Sequence, residues 1–374
     1  MTESSISYNL RKVSHAPAVL LLRVPRRAWH GLARKLAGFA GTNGFLASLY
    51  FTFFSTRFYR EHQAVLQGIN AFRSTQLSTK TSFGGFRRNV HRIEKGLAMK
   101  QRRPRFGEGY IGETVAQFAA AQSAGSRIDF GERKWAGDVL TAYFMAVEDS
   151  PAIAAARLRF EETGYKPNPQ EVPFVPYPKC RVEKSDITFE ALHKLFLERR
   201  SVRWFEDRPI SGELLEKAVD AAGLAPTACN RQPYRFHVFH GAQAEEVADL
   251  AGGTAGWASQ IPCVIVVVGD LSNYVEERDR HLIYIDSALA SMQLMLALQT
   301  LGLSTVPINW PDVAERESRM QRTLGLKIYE RPVMLIGAGY GATDGKIPYS
   351  QKKPIDLMMI GHINSGIVKS QETT

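Results

Sequence analysis

Between Lys166 and Lys179 the chain carries Pro167, Pro169, Pro173, Pro176 and Pro178. Proline fixes φ, lacks an N–H, clashes inside a helix and biases the residue before it away from helix. Five prolines in 14 residues bar a helix from crossing this stretch and favour an extended connector. The chain is therefore expected to fold in two parts. The expected divisions are a basic, aromatic-rich segment 1–80, a helical basic region 81–165, a connector 166–180 and a C-terminal domain 181–374.

Charge divides at the same place. The whole chain of 374 residues is +10, yet residues 1–180 carry a net +13 and residues 181–374 a net −3. Such asymmetry suits an anionic partner for the first half, or a solvated basic surface. A content of 44% hydrophobic and 22% charged residues excludes a collagen or a wholly disordered chain. Cys180, Cys229 and Cys263 are too few and too far apart for a disulfide framework or a cysteine metal site, so no metal is expected.

Residues 1–35 hold seven basic residues and one acid, and Leu36 to Thr56 then runs without a charge. That run is long enough for a bilayer. Its glycines, Thr42 and Asn43 argue against a span, since only 12 of the 21 residues are apolar. Packing, or contact with a membrane surface through Trp29, Phe45, Tyr50, Phe51, Phe53 and Phe54, is the alternative. Further on, Arg87, Arg88, Arg92, Arg102 and Arg103 form a candidate anion patch for a glycan or lipid headgroup. Gly84-Gly85 suggests a loop there, with a short helix from Asn89. No nucleic-acid motif or aromatic interleaving is present, so no nucleic-acid partner is expected. Ala-rich stretches between 107 and 165 predict further helices.

After the connector, helical patterns (186–199, 212–224, 281–301) alternate with strand patterns (234–239, 262–268, 304–308, 333–336). The class is α+β, a sheet covered by helices in three layers, preceded by a mostly helical region. The helix at 281–301 has Asp286 as its only acid and must be buried, either in the core or at a subunit interface.

Three polar clusters interrupt this apolar frame. Arg199-Arg200-Ser201-Val202-Arg203 puts three guanidiniums in five residues, suited to an anion or, alternatively, to a helix C-terminus. The loop 225–236 offers Pro226, Thr227, Asn230 and Gln232 to a heteroaromatic edge or a polyhydroxy chain. The third cluster is Pro307-Ile308-Asn309-Trp310, with Gly339-Tyr340-Gly341 leading to Lys352. Its glycines lack the βαβ setting of a dinucleotide fingerprint.

The order RRSVR (199–203), LAPTACNRQPYRF (224–236), IDSALASMQLMLALQTLGL (285–303), TVPINW (305–310) and GYG…KKP (339–354) resembles the nitroreductase family of FMN-dependent oxidoreductases. The resemblance covers roughly residues 185–360 and implies a nitroreductase-like FMN domain over 181–374. It implies that Arg199, Arg200, Ser201, Val202 and Arg203 hold the FMN phosphate and ribityl chain, with Lys352 near the phosphate. Pro226, Thr227, Asn230 and Gln232 would reach the flavin from the second subunit of a homodimer, while Pro307, Ile308 and Asn309 would lie along its ring. NAD(P)H would donate electrons and a nitro, quinone-like or other conjugated acceptor would receive them in a ping-pong cycle, Asn309 and Trp310 facing that acceptor. The flavin carries the chemistry, so no catalytic side chain is assigned.

Two positions depart from the family pattern: Asn309-Trp310 replaces a common Glu-Gly, and Ser350 stands where some members have a second basic residue. The basic first half is similar to extensions in bacterial polysaccharide-synthesis proteins. This supplies the alternative, an assembly or interaction protein on a nitroreductase scaffold. The expected location is the cytoplasm, with peripheral contact at the inner membrane face as a variant.

Overall fold

The computed structural model describes residues 36–55, 57–75, 83–123, 126, 128 and 129–361. The cluster of basic residues within 1–35 lies outside the described residues. The first part is helical: α1 (Gly44–Phe53), α2 (Tyr59–Ser74), α3 (Gly84–Leu97), α4 (Ile111–Gln122), α5 (Phe130–Ala146) and α6 (Pro151–Glu162). Its core is made by Phe86, Val90 and Ile93 of α3, Val115 and Phe118 of α4, and Val139, Leu140 and Tyr143 of α5. Helix α3 begins earlier than expected. Gly84 and Gly85 are buried in its first turn, where a Cβ would meet Asn273 at 2.1 Å and the Phe83 ring at 2.5 Å. Close packing, not a loop, explains this glycine pair.

A buried ion pair ties this bundle to the start of the connector. Lys134 Nζ lies 2.7 Å from Asp138 Oδ2, one turn along α5. The carboxylate also accepts from the Tyr165 hydroxyl (2.8 Å) and the Phe174 N–H (2.8 Å). Burial opposes ionisation of Asp138, but these donors outweigh it and hold its carboxyl below the usual range. Its hydrogen bond to Asp138 likewise raises Lys134. A depressed carboxyl contributes stability above its unfolded value of about 4 and loses it as pH falls through the folded value. Asp138→Asn is therefore expected to flatten the acid limb of a pH–stability curve. At neutral pH it should cost about 3 kcal/mol, by leaving Lys134 with Glu171 alone at 3.5 Å; urea unfolding across pH measures both.

Between α6 and α7 (Phe189–Glu198) the only regular structure is one short turn, Lys179–Arg181, as the proline content requires. The second part then runs α8 (Gly212–Gly223), β1 (Tyr234–His240), α9 (Gly241–Ala251), β2 (Cys263–Asp270), α10 (Leu282–Thr300), β3 (Ser304–Asn309), α11 (Ala314–Leu324) and β4 (Glu330–Gly339). The strands form one antiparallel sheet in the order β1-β2-β4-β3. Strand β2 is buried on both faces, which explains its unbroken apolar run. Val264, Val266 and Val268 meet one core with α9 and α11, whereas Cys263, Ile265 and Val267 meet another with α8 and α10. The expected three layers follow from that alternation.

The apolar α10 belongs to a helical stretch, Glu277–Thr300, long and apolar enough to cross a membrane. Its face Ile283, Ala290, Leu294 and Leu298 is instead buried in the protein. The two parts are not independent in space. Ala64, Val65 and Ile69 of α2 share a core with Leu271, Tyr274 and Ile283. Arg60 of α2 also reaches Glu317 of α11 at 3.1 Å.

Candidate functional site

The first and third polar clusters meet. Arg199 caps the C-terminus of α7, and the chain then runs beside β3 and the end of β4. Ser201 bridges Thr305, with the Val202 N–H donating to the Thr305 carbonyl at 3.1 Å. Phe205 bridges Gly341, and the Glu206 N–H donates to the Tyr340 carbonyl at 2.8 Å. The glycines of GYG are steric requirements here. A Cβ on Gly339 would lie 2.6 Å from Pro262, and one on Gly341 would lie 2.6 Å from Ser304 Oγ.

Within this junction two polar atoms are buried without a partner: Arg199 Nε and Thr305 Oγ1. Buried donors are almost always satisfied, and an acceptor placed at this junction would serve these two atoms. Burial, with Arg200 next to it, lowers the Arg199 guanidinium below its usual range. Arg200 donates to the carbonyls of Pro348 (2.8 Å) and Tyr349, which draws the segment carrying Lys352 toward the cluster. Lys352 is itself exposed. Arg203 turns to the Trp257 ring, 5.7 Å from its centroid. An anionic, oxygen-rich group such as the FMN phosphate fits the donor set of Arg199, Ser201 and Thr305. Thr305 was not among the residues expected from sequence, although it lies in the TVPINW motif; only its pairing with Ser201 distinguishes it.

On β3, Pro307 and Asn309 are exposed and share the face of Thr305, while Ile308 is buried on the other face. Trp310 corrects an expectation. It is buried, and its indole N–H donates to Glu317 Oε1 at 2.6 Å, so it does not face an acceptor. The sequence could not show that Glu317, wholly buried, waits beneath it.

The second cluster forms a strained loop. Cys229 (φ 56°), Asn230 (φ 52°) and Gln232 (φ 50°) all adopt the left-handed region without being glycine. Such residues cost about 1–3 kcal/mol each and persist only where their surroundings hold them. The holders are identifiable. The Ala228 N–H donates to Asp286 Oδ2 at 3.1 Å, Gln232 N to Thr227 Oγ1 at 3.2 Å, and Arg87 Nε to the Asn230 carbonyl at 2.8 Å. Burial raises the Asp286 carboxyl, partly offset by the Ala228 N–H and Arg231. Its signal in the sequence was to be the lone acid of an uncharged helix. Arg87 is also 3.3 Å from Glu132 and stacks over Trp135. It is thus a structural clasp between α3 and this loop, not part of an open anion patch. Arg92 covers the Tyr110 ring at 3.8 Å, Arg88 bonds Asn89 Oδ1, and Arg102 and Arg103 are exposed.

In one chain the first and second clusters lie at opposite corners of the sheet. Tyr234, following the loop, pairs with Gly269 at one end of β2. Ser304, beside the first cluster, pairs with Gly339, next to the Ala338 that opposes Cys263 at the other end. Six residues along a strand and three strand spacings separate them by about 25 Å.

The second part of the chain is similar to known proteins. A family model described as "Nitroreductase family" matches residues 197–340. A Bacillus subtilis protein described as an NAD(P)H nitroreductase, YdgI, is 31% identical over 198 residues, 43% of this chain and 92% of that one. Human iodotyrosine deiodinase 1 is 25% identical over 228 residues, 52% of this chain and 75% of that protein. A nitroreductase family protein of Streptococcus pneumoniae, known from its crystal structure, covers 46% of this chain and 100% of its own at 23% identity and a TM-score of 0.40. The chain belongs to the nitroreductase family.

Proposed function

We propose that the protein is a homodimeric, FMN-dependent oxidoreductase that takes electrons from NAD(P)H and passes them to a conjugated small-molecule acceptor. The observation that carries this reading is the pair of buried orphans, Arg199 Nε and Thr305 Oγ1, in a member of this family. Arg199, Arg200, Ser201, Val202 and Arg203, with Thr305 and Lys352, would hold the phosphate and ribityl chain. Pro307, Ile308 and Asn309 would flank the ring. A phosphate near Arg199 would offset the burial of its guanidinium. FMN, when bound, supplies the two-electron chemistry; the chain binds it, orients it and excludes water.

The separation of about 25 Å, the span of the sheet diagonal, supports a dimer. A second copy would set Pro226, Thr227, Asn230 and Gln232 against the first cluster. Ile285, Leu289 and Met292, 53%, 44% and 39% exposed on the outer face of α10, supply an apolar stripe for that copy. The Arg87 and Asp286 bonds would keep the strained loop in shape before the copies meet. Relatives named as nitroreductases and as deiodinases widen the acceptor class to nitro, quinone-like and aryl-halide compounds.

The test is the visible spectrum of the purified protein, followed by anaerobic addition of NADH or NADPH. Flavin bands that bleach with one donor are expected. Bands that stay would favour the assembly-protein alternative, and a colourless protein that takes up no FMN would overturn the reading.

A further inference from the structure

Helix α1 is unlike every other helix of the first part. Among its ten residues, GFLASLYFTF, none is charged and none is buried. Phe45, Leu49 and Phe53 are spaced by one helical turn and are 71%, 38% and 53% exposed. Phe39 before the helix and Phe58 after it extend the same kind of surface, at 66% and 40%. Monomeric proteins seldom leave such a patch to water.

The hydroxyls of Ser48 and Thr52 bond within the helix. Ser48 Oγ donates to the Gly44 carbonyl at 3.0 Å and Thr52 Oγ1 to the Ser48 carbonyl at 2.9 Å. Asn43 caps the first turn, its Oδ1 accepting from the Phe45 N–H at 2.9 Å. Tyr50 stacks on Phe54, so the aromatic groups are braced by one another. A helix whose exposed serine and threonine hydroxyls bond within it, and whose exposed bulky side chains are all apolar, can enter hydrocarbon at a reduced desolvation cost. At ten residues it is about 15 Å long, half of what a span requires, so it would lie in the plane of a bilayer. Between α1, α2 and the turn at 277–281 there is also a cleft of about 790 Å³, with Phe51, Phe58, Val65 and Leu66 on its apolar side and Glu61, His62, Glu277, Arg280 and His281 on its polar side.

The charge of the chain chooses the occupant. Arg11, Lys12, Arg23, Arg26, Arg27, Arg34 and Lys35 precede the helix with a single acid, Glu3, and Arg57 follows it. Basic residues next to a shallow apolar insertion are the combination that holds a protein on anionic lipid, each contributing about 1 kcal/mol near the surface. We propose that α1 is an in-plane anchor that docks the protein on an anionic lipid bilayer. The proposal is independent of the flavin reading, because the helix lies in the first part and touches none of the three polar clusters.

The experiment is co-sedimentation of the full-length protein with mixed phosphatidylcholine–phosphatidylglycerol vesicles and with pure phosphatidylcholine vesicles. Binding to the mixed vesicles, weaker by tenfold or more on the pure ones, is expected. The triple variant Phe45→Ser, Leu49→Ser, Phe53→Ser alters only exposed positions, and its fold is checked by circular dichroism. It should lose at least tenfold of the vesicle affinity. No binding by the natural chain overturns the anchor, as does unchanged binding by the folded triple variant, which would leave the basic segment as the whole attraction. A change of sedimentation coefficient in the triple variant, without vesicle binding by the natural chain, would instead assign the face to a second copy and also overturn it.

Discussion

Glu317→Ala is expected to lower the unfolding free energy by about 3–5 kcal/mol, the cost of leaving a buried charge without its partner. Glu317 is fully buried on α11 and serves three donors. Trp310 Nε1 lies 2.6 Å from one carboxylate oxygen; Arg331 Nε at 3.0 Å and Arg60 Nε at 3.1 Å share the other. Arg331 is among the largest fully buried side chains, and its other bonded partner is Asp312 at 3.1 Å. Removing the carboxylate would leave Arg331 with Asp312 alone and Trp310 with an unmade bond. Burial disfavours the charged guanidinium, but Tyr284, Glu317 and Asp312 outweigh this and hold Arg331 above its usual range. The loss also spreads. Arg60 belongs to α2, so the same substitution loosens the first part from the second. Chemical unfolding should show a lower midpoint, and hydrogen exchange should rise in α2 before it rises in β2. Exchange confined to α11 would mean that Arg60 contributes nothing to the contact between the parts. Glu317→Gln, which keeps an acceptor but not the charge, should recover part of the loss.

The second large effect concerns the cofactor. Arg199→Ala is expected to weaken FMN retention roughly tenfold to a hundredfold, since a charge-assisted bond is worth about 1.5–3 kcal/mol. The direction of its stability effect is opposite to that of Glu317→Ala. Arg199 Nε is buried without a partner and near Arg200, so the apoprotein should gain stability or stay level when it is removed. FMN titration by fluorescence quenching reads the first effect, and thermal unfolding of the apoprotein reads the second. Unchanged FMN affinity would move the phosphate away from Arg199. A destabilised apoprotein would mean that the guanidinium is already satisfied within the fold.

Much of the second part was legible because its periodicities are simple. PCVIVVV reads as a strand buried on both faces, and the structure places alternate residues in two separate cores. The 281–301 helix was recognised from its lack of charge and expected to be buried; the structure buries one face and leaves Ile285, Leu289 and Met292 exposed on the other. The run RRSVR suggests an anion site and TVPINW a strand, but neither shows that Thr305 stands beside Ser201. That fact comes from a bridge between residues 104 positions apart.

Other readings failed where a side chain has two uses and distance decides between them. Arg87 looks like a member of a basic patch in the run RRNVHR, yet Glu132, Trp135 and the Asn230 carbonyl occupy it. Trp310 follows an exposed Asn309 in an edge strand, yet Glu317 draws its indole inward. Gly84-Gly85 has the composition of a turn, yet Asn273 and Phe83 require bare backbone inside a helix.

Local sequence determined the proline break, the alternation of helices and strands, the absence of charge in α1 and α10, and the family to which the chain belongs. These depend on properties carried by each residue and its near neighbours: φ restriction, side-chain period and transfer free energy. Tertiary structure alone decided which cations are spoken for, which glycines are steric, that the loop at 228–232 is strained and held from α3 and α10, and that the first and second polar clusters lie at opposite corners of one sheet. Those facts depend on contacts between residues far apart in the chain, and a Coulomb or hydrogen-bond energy exists only once the fold has set the distance.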